Sequence, residues 1–302
     1  MLEFKAEYTI VTDVHFGEVV TVGLIQSIVL EDMAANLERV VAKIEDAAKR
    51  GAQIVCLQEL FNTRYFPQEV QQLDVKQYAE SIPGRSTQIL CEIAKKYSVV
   101  IIVPLFEQAL NGKFYNSVVV IDADGKLLET YHKIHVPQDP MFYEQNYFEL
   151  GTEGYKIYNT AYAKFAVLIC YDQWFPEAAR ICALQGADIL FYPTAIGYIK
   201  GHVSADGDWC DAWQTVQRGH AIANGVHVAA VNRVGTEGNL EFWGSSFICD
   251  AFGEVIAKAD NKKEETLIAK IDLSFNKRIQ DGWGFLRNRR PDTYKPLTEK
   301  TI

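Results

Sequence analysis

Apolar residues run unbroken through 165–169, FAVLI, the pattern of a strand buried on both faces. Comparable runs at 19–26, 54–57, 99–103, 188–192 and 227–232 predict five more core strands. The segments 114–122 and 126–131 flank Asp124-Gly125, a hairpin signal. Strands at 242–248 and 254–258 flank a turn at 251–253, and a last strand is expected at 266–271. Between strands the spacing becomes helical. Met33, Leu37, Val40, Val41, Ile44, Ala47 and Ala48 share one helix face, with Asp32 as its cap and Gly51 at its end. Further helices are predicted at 86–97, from Pro176 to about residue 185, and at 209–224. This alternation predicts one α/β domain over 19–302, two packed sheets with outer helices. Residues 1–18 read as an N-terminal extension, at most an edge strand, and about 275–302 as a C-terminal tail.

Composition narrows the class. With 48% hydrophobic and 23% charged residues, the 302-residue chain can bury a sizeable core. A net charge of −9 argues against a nucleic-acid partner. No apolar run reaches membrane-spanning length, so no membrane partner is expected. Glu3, Lys5, Glu7, Asp13 and Glu18 interrupt the first twenty residues, which do not read as a secretory signal. Six cysteines without CxxC pairs read as reduced thiols of a cytoplasmic protein. Six histidines, none in an HExxH or His/Cys cluster, give no metal signature.

Three strand ends carry ionisable groups: Glu59 after IVCLQ, Lys133 in YHKIHVP, and Cys170 after FAVLI. Ligands gather at the carboxyl ends of strands in open α/β sheets. Cys170 falls at a strand-to-helix bend, where backbone N–H groups stabilise a thiolate and an oxyanion. The other reading is a small buried hydrophobe. A carboxylate, an ammonium and a thiol form a hydrolytic set: the carboxylate takes the thiol proton and the ammonium holds an oxyanion.

Glu59 in LQELF, Lys133 in YHKIHVP and Cys170 in LICYDQWFPEAAR resemble the Glu-Lys-Cys motifs of the nitrilase superfamily of carbon–nitrogen hydrolases. The resemblance runs from about residue 20 to about residue 294. It implies a four-layer αββα sandwich of two mixed sheets, no cofactor, a homo-oligomer and a thiol acyl-enzyme. Cys170 is then the nucleophile, Glu59 the general base and acid, and Lys133 an oxyanion donor with the backbone N–H of Tyr171. Glu144, in MFYEQNYFELG, matches a second glutamate that supports the lysine. CYDQWFPEAAR, LFYPTAIG and GHAIANGV are similar to the branch acting on N-carbamoylputrescine, which implies a small cationic substrate. Tyr65, Trp174, Asp206, Asp208 and Asp211 are the expected substrate-binding residues. The three aspartates are equally compatible with a solvated acidic loop in which Asp206 or Asp208 caps a helix, and Lys200 and His202 share their segment. An N-carbamoyl amino acid, a β-ureido acid or an aliphatic amide is the alternative substrate, and a catalytically silent interaction protein the alternative of another class.

Overall fold

The computed structural model describes residues 19–72, 74–202 and 205–299; the extension expected at 1–18 lies outside them. The first half supplies β1 (Val19–Gln26), α1 (Met33–Lys49), β2 (Ile54–Leu57), α2 (Arg85–Tyr97), β3 (Val100–Gln108), β4 (Phe114–Ile121) and β5 (Tyr131–His132). The second supplies β6 (Ile157–Asn159), β7 (Lys164–Val167), α3 (Pro176–Leu184), β8 (Ile189–Pro193), β9 (Gly197–Ile199), α4 (Trp209–Asn224), β10 (His227–Val231), β11 (Val234–Glu237) and β12 (Leu240–Trp243). Then follow β13 (Phe247–Cys249), β14 (Val255–Lys258), β15 (Glu265–Asp272) and α5 (Ser274–Trp283).

Two six-stranded mixed sheets form, in the orders β15-β1-β2-β3-β4-β5 and β14-β13-β10-β8-β7-β6. They face each other, β1 against β10 and β2 against β8. Val22, Leu24, Ile54 and Ile102 of the first sheet share one core with Val167, Leu190, Val228 and Phe247 of the second. On the outer face of the first sheet, Leu37, Val40 and Ile44 of α1 and Leu90 of α2 cover Val55, Leu57, Ile101 and Val103. Ala178, Ala179 and Cys182 of α3 and Trp213 and Ala221 of α4 pack with the second sheet. The layers are therefore α-β-β-α, as the sequence resemblance implies. Asp32 caps α1 by accepting from the Ala34 and Ala35 N–H groups.

The run at 242–248 is not one strand. Gly244 (φ +54°) and Ser245 (φ +57°) turn the chain between β12 and β13, and a Cβ on Gly244 would lie 2.5 Å from Val234 Cγ1. β12 joins β11 and β9 in a separate three-stranded sheet. The Asp124-Gly125 turn forms, but of the second arm expected at 126–131 only Tyr131 lies in a strand, the two-residue β5; Leu127 makes one isolated bridge. Within the stretch read as a tail, α5 docks on the second sheet: Asn276 Nδ2 donates to Asp188 O, and its Oδ1 bonds His227 Nδ1.

Candidate active site

Glu59, Lys133, Glu144 and Cys170 come together where the two sheets end. β2 is wholly buried, and three residues after its end the chain bends sharply at Leu60 (φ +48°). Lys133 follows β5, its backbone held by Asn116 O on one side and the Gly151 N–H on the other. A Cβ on Gly151 would lie 2.2 Å from His132 O, so only glycine fits there. Glu144 opens a short 3-10 turn and is its one buried residue.

Cys170 takes the left-handed conformation (φ +42°), which a non-glycine residue keeps only when its surroundings over-determine it. Asp172, fully buried, supplies that constraint. Its Oδ2 accepts from the Ile169 N–H at 2.9 Å and the Tyr131 hydroxyl at 2.8 Å, and its Oδ1 accepts from the His135 N–H and Nδ1. Gln173 ties the bend to α4: its Oε1 accepts from Trp213 Nε1 and its carbonyl from His220 Nε2, each at 2.8 Å.

Lys133 Nζ donates to Glu59 Oε1 at 2.9 Å and to Glu144 Oε2 at 2.7 Å, all three side chains being fully buried. Asn116 Nδ2 donates to the same Glu59 oxygen at 2.8 Å, and the Tyr65 hydroxyl to Glu144 Oε1 at 2.7 Å. Glu59 Oε2 is buried with no hydrogen-bond partner among the described residues. Buried polar atoms are almost always paired, so this oxygen is open to a proton from elsewhere.

Burial alone would lower the Lys133 ammonium, but Glu144, Glu59 and Cys170 outweigh it and hold its pKa above the ordinary lysine value. Burial pushes the Glu144 carboxyl up; Lys133 pulls it back, Glu59 adds to the rise, and the balance is upward. The Cys170 thiol stands well above its usual range, first from burial and then from Glu59, against the opposing pull of Lys133. The resting thiol is therefore protonated, and attack requires a base.

Of the expected substrate-binding residues, Tyr65 is in this cluster. Trp174 is half-buried at the end of the Cys170 turn. Asp206, Asp208 and Asp211 are exposed, at the start of α4. Asp208 is its N-cap, accepting from the Cys210 and Asp211 N–H groups and the Tyr198 hydroxyl. Exposed carboxylates act on a cation through a screened field rather than a desolvated bond. Sequence reasoning missed Asn116, Asp172, Tyr131, His135 and the buried Arg233–Glu237 pair. Asp172, two residues after Cys170, and Tyr131 and His135, two residues either side of Lys133, carried a local signal.

The carbon-nitrogen hydrolase family matches residues 20–279. The chain belongs to that family. It is 45% identical to an N-carbamoylputrescine amidase of Solanum lycopersicum over 93% of this chain and 95% of that protein. A citrullinase of Francisella tularensis is 40% identical over 93% and 99% of the two chains. The crystal structure of a carbon-nitrogen hydrolase from Helicobacter pylori G27 superposes with a TM-score of 0.89 at 39% identity, covering 94% of this chain and all (100%) of that one. The resemblance read from the three motifs is thus borne out at the level of family and fold.

Proposed function

We propose that this carbon–nitrogen hydrolase cleaves the carbamoyl C–N bond of N-carbamoylputrescine, giving putrescine, carbon dioxide and ammonia. The observation carrying the chemistry is the unpaired, buried Glu59 Oε2 in the electrostatic neighbourhood of the Cys170 thiol. Glu59 takes the thiol proton as Cys170 Sγ attacks the carbamoyl carbon. Lys133 Nζ and the Tyr171 backbone N–H stabilise the tetrahedral oxyanion. Glu59 returns the proton to the departing nitrogen as the C–N bond breaks. Water, deprotonated by Glu59, then attacks the thioester carbonyl; the thiolate leaves and takes the proton back from Glu59, and the carbamic acid released breaks down to carbon dioxide and the remaining nitrogen product. Two carboxylates around one ammonium leave one acidic site free to bind and release that proton, with Glu144 holding Lys133 in place.

Similarity to plant amidases named for N-carbamoylputrescine, 42–45% identical, supports the substrate. The unpaired cysteines support a cytoplasmic setting, and the family resemblance supports a homo-oligomer, which sedimentation measures. Citrulline has the same ureido chain with one carboxylate added beside its terminal ammonium, so it isolates recognition of the distal end. Ammonia release from N-carbamoylputrescine, citrulline and N-carbamoyl-β-alanine tests the reading. The first is expected to lead in kcat/KM by roughly tenfold or more, the scale of one differential polar contact. A preference for either acid overturns the substrate and leaves the thiol chemistry standing. No turnover of any ureido or amide compound favours the silent interaction protein.

A further inference from the structure

Arg233 is a fully buried arginine whose partners are mostly backbone. It follows β10 of the second sheet and extends to the end of β2 in the first. Its Nη2 donates to Glu59 O at 2.7 Å and Leu60 O at 3.1 Å; its Nη1 donates to Thr63 O at 3.3 Å and Glu237 Oε1 at 2.8 Å. Glu237 Oε2 accepts from the Tyr65 N–H at 2.6 Å. One ion pair thus grips the backbone at both ends of segment 59–65. The two terminal side chains of that segment, Glu59 and Tyr65, both bond into the Lys133–Glu144 cluster.

The preceding residue grips the other half of the site. Asn232 Oδ1 accepts from the Ile196 N–H at 3.1 Å and its Nδ2 donates to Ile196 O at 2.9 Å. The backbone N–H of adjacent Ala195 pulls the Cys170 thiol downward, against the upward push of burial. Asn232 Oδ1 also accepts from the Arg233 N–H at 2.9 Å. The dipeptide Asn232–Arg233 therefore joins the wall of the thiol to the backbone that carries Glu59.

We infer that Arg233, braced by Asn232 and Glu237, is a positioning residue that aims Glu59 at Cys170; this rests on reading those two as base and nucleophile. The planar guanidinium offers a rigid fork of donors that converging carbonyls require. A lysine keeps the charge but presents one nitrogen, and cannot hold Glu59 O, Leu60 O, Thr63 O and Glu237 together. The left-handed φ of Leu60 persists because the guanidinium bonds the carbonyls on both sides of that bend.

The test is the pH profile of Cys170 alkylation by iodoacetamide, read by peptide mass spectrometry in wild type, Arg233→Lys, Glu237→Gln and Glu59→Gln. Kinetics with N-carbamoylputrescine and melting curves accompany it. With Glu59 misaimed, alkylation at neutral pH should fall roughly tenfold or more through loss of the base, and the Arg233→Lys profile should depart from wild type toward that of Glu59→Gln, in which the upward push of the Glu59 charge on the thiol is also relieved. For turnover, kcat should fall roughly 10²-fold with KM nearly unchanged, and Arg233→Lys should add little to Glu59→Gln. A folded Arg233→Lys with the wild-type profile overturns the inference, as does an effect that multiplies with that of Glu59→Gln. If Arg233→Lys does not fold, Glu237→Gln, which keeps the arginine, decides by the same criteria; failure of both to fold overturns positioning in favour of a purely structural role. Alkylation needs no substrate, so a wrong substrate assignment would show in the turnover panel and leave this profile interpretable.

Discussion

Carboxylates meet opposite fates in two parts of this molecule. Glu59 and Glu144 are fully dry and share one ammonium, with Asn116 and Tyr65 on their remaining bonds. Asp206, Asp208 and Asp211 face water, and Asp208 is engaged in capping a helix. The same functional group is thus part of a buried ionic cluster in one place and a local folding device in the other. Low dielectric makes the difference: charges in the dry cluster feel each other strongly, whereas those on the acidic segment are screened. Proximity in sequence to a motif is therefore a poor guide to chemical role, and burial with named partners a better one.

Substitutions in the dry cluster should break this contrast most severely. Glu59→Gln and Lys133→Ala are each expected to lower kcat roughly 10²-fold or more, the scale of a lost base or oxyanion donor. Neither loss should add to that of Cys170→Ala, because the three act as one unit. Single and double variants assayed for ammonia release decide the point; losses that multiply would separate the residues. Tyr65→Phe probes the edge of the cluster. It leaves Glu144 Oε1 without its donor, which should reduce kcat/KM roughly tenfold, given about 1–3 kcal/mol for an unsatisfied buried acceptor.

Substitutions on the wet segment should do far less. Asp206→Asn or Asp211→Asn should raise KM for the cationic substrate about two- to threefold, leave kcat alone, and lose that effect in high salt. A tenfold, salt-insensitive rise would place the ammonium directly on one of them. Asp208→Ala should instead lower the melting temperature by a few degrees at neutral pH, as loss of an N-cap worth about 1 kcal/mol implies. The Asp211 N–H and the Tyr198 hydroxyl hold the Asp208 carboxyl below the ordinary 3.8. Its contribution is therefore complete above that value and fades as pH falls through its lower folded value. Melting curves of the two proteins should converge in acid; a constant gap would assign the effect to something other than this carboxylate.

Legibility from sequence followed the same division between local and distant causes. β1 and α4 appear with the bounds that their periodicity predicts, Val19–Gln26 and Trp209–Asn224, because hydrophobic spacing and an Asp cap are local signals. β9 and β11 are three and four residues long, too short for a period to show. The split between β12 and β13 did leave a trace, Gly244-Ser245-Ser246 inside 242–248, which reading the segment as one strand passed over. The site was readable only as three motifs in order; their meeting point came from the family resemblance, not from spacing. Arg233 was invisible for a physical reason: apart from Glu237, its partners are carbonyls at sequence separations of 170–174, and carbonyls carry no side-chain identity.

The most direct test of the central claim follows residual hydrolysis of N-carbamoylputrescine against the fraction of Cys170 carbamidomethylated by iodoacetamide. Activity should fall in proportion to Cys170 modification and reach zero when it is complete, with substrate slowing both. Activity above a tenth of the starting value with Cys170 fully alkylated, or inactivation that tracks Cys91 or Cys210 instead, would contradict it.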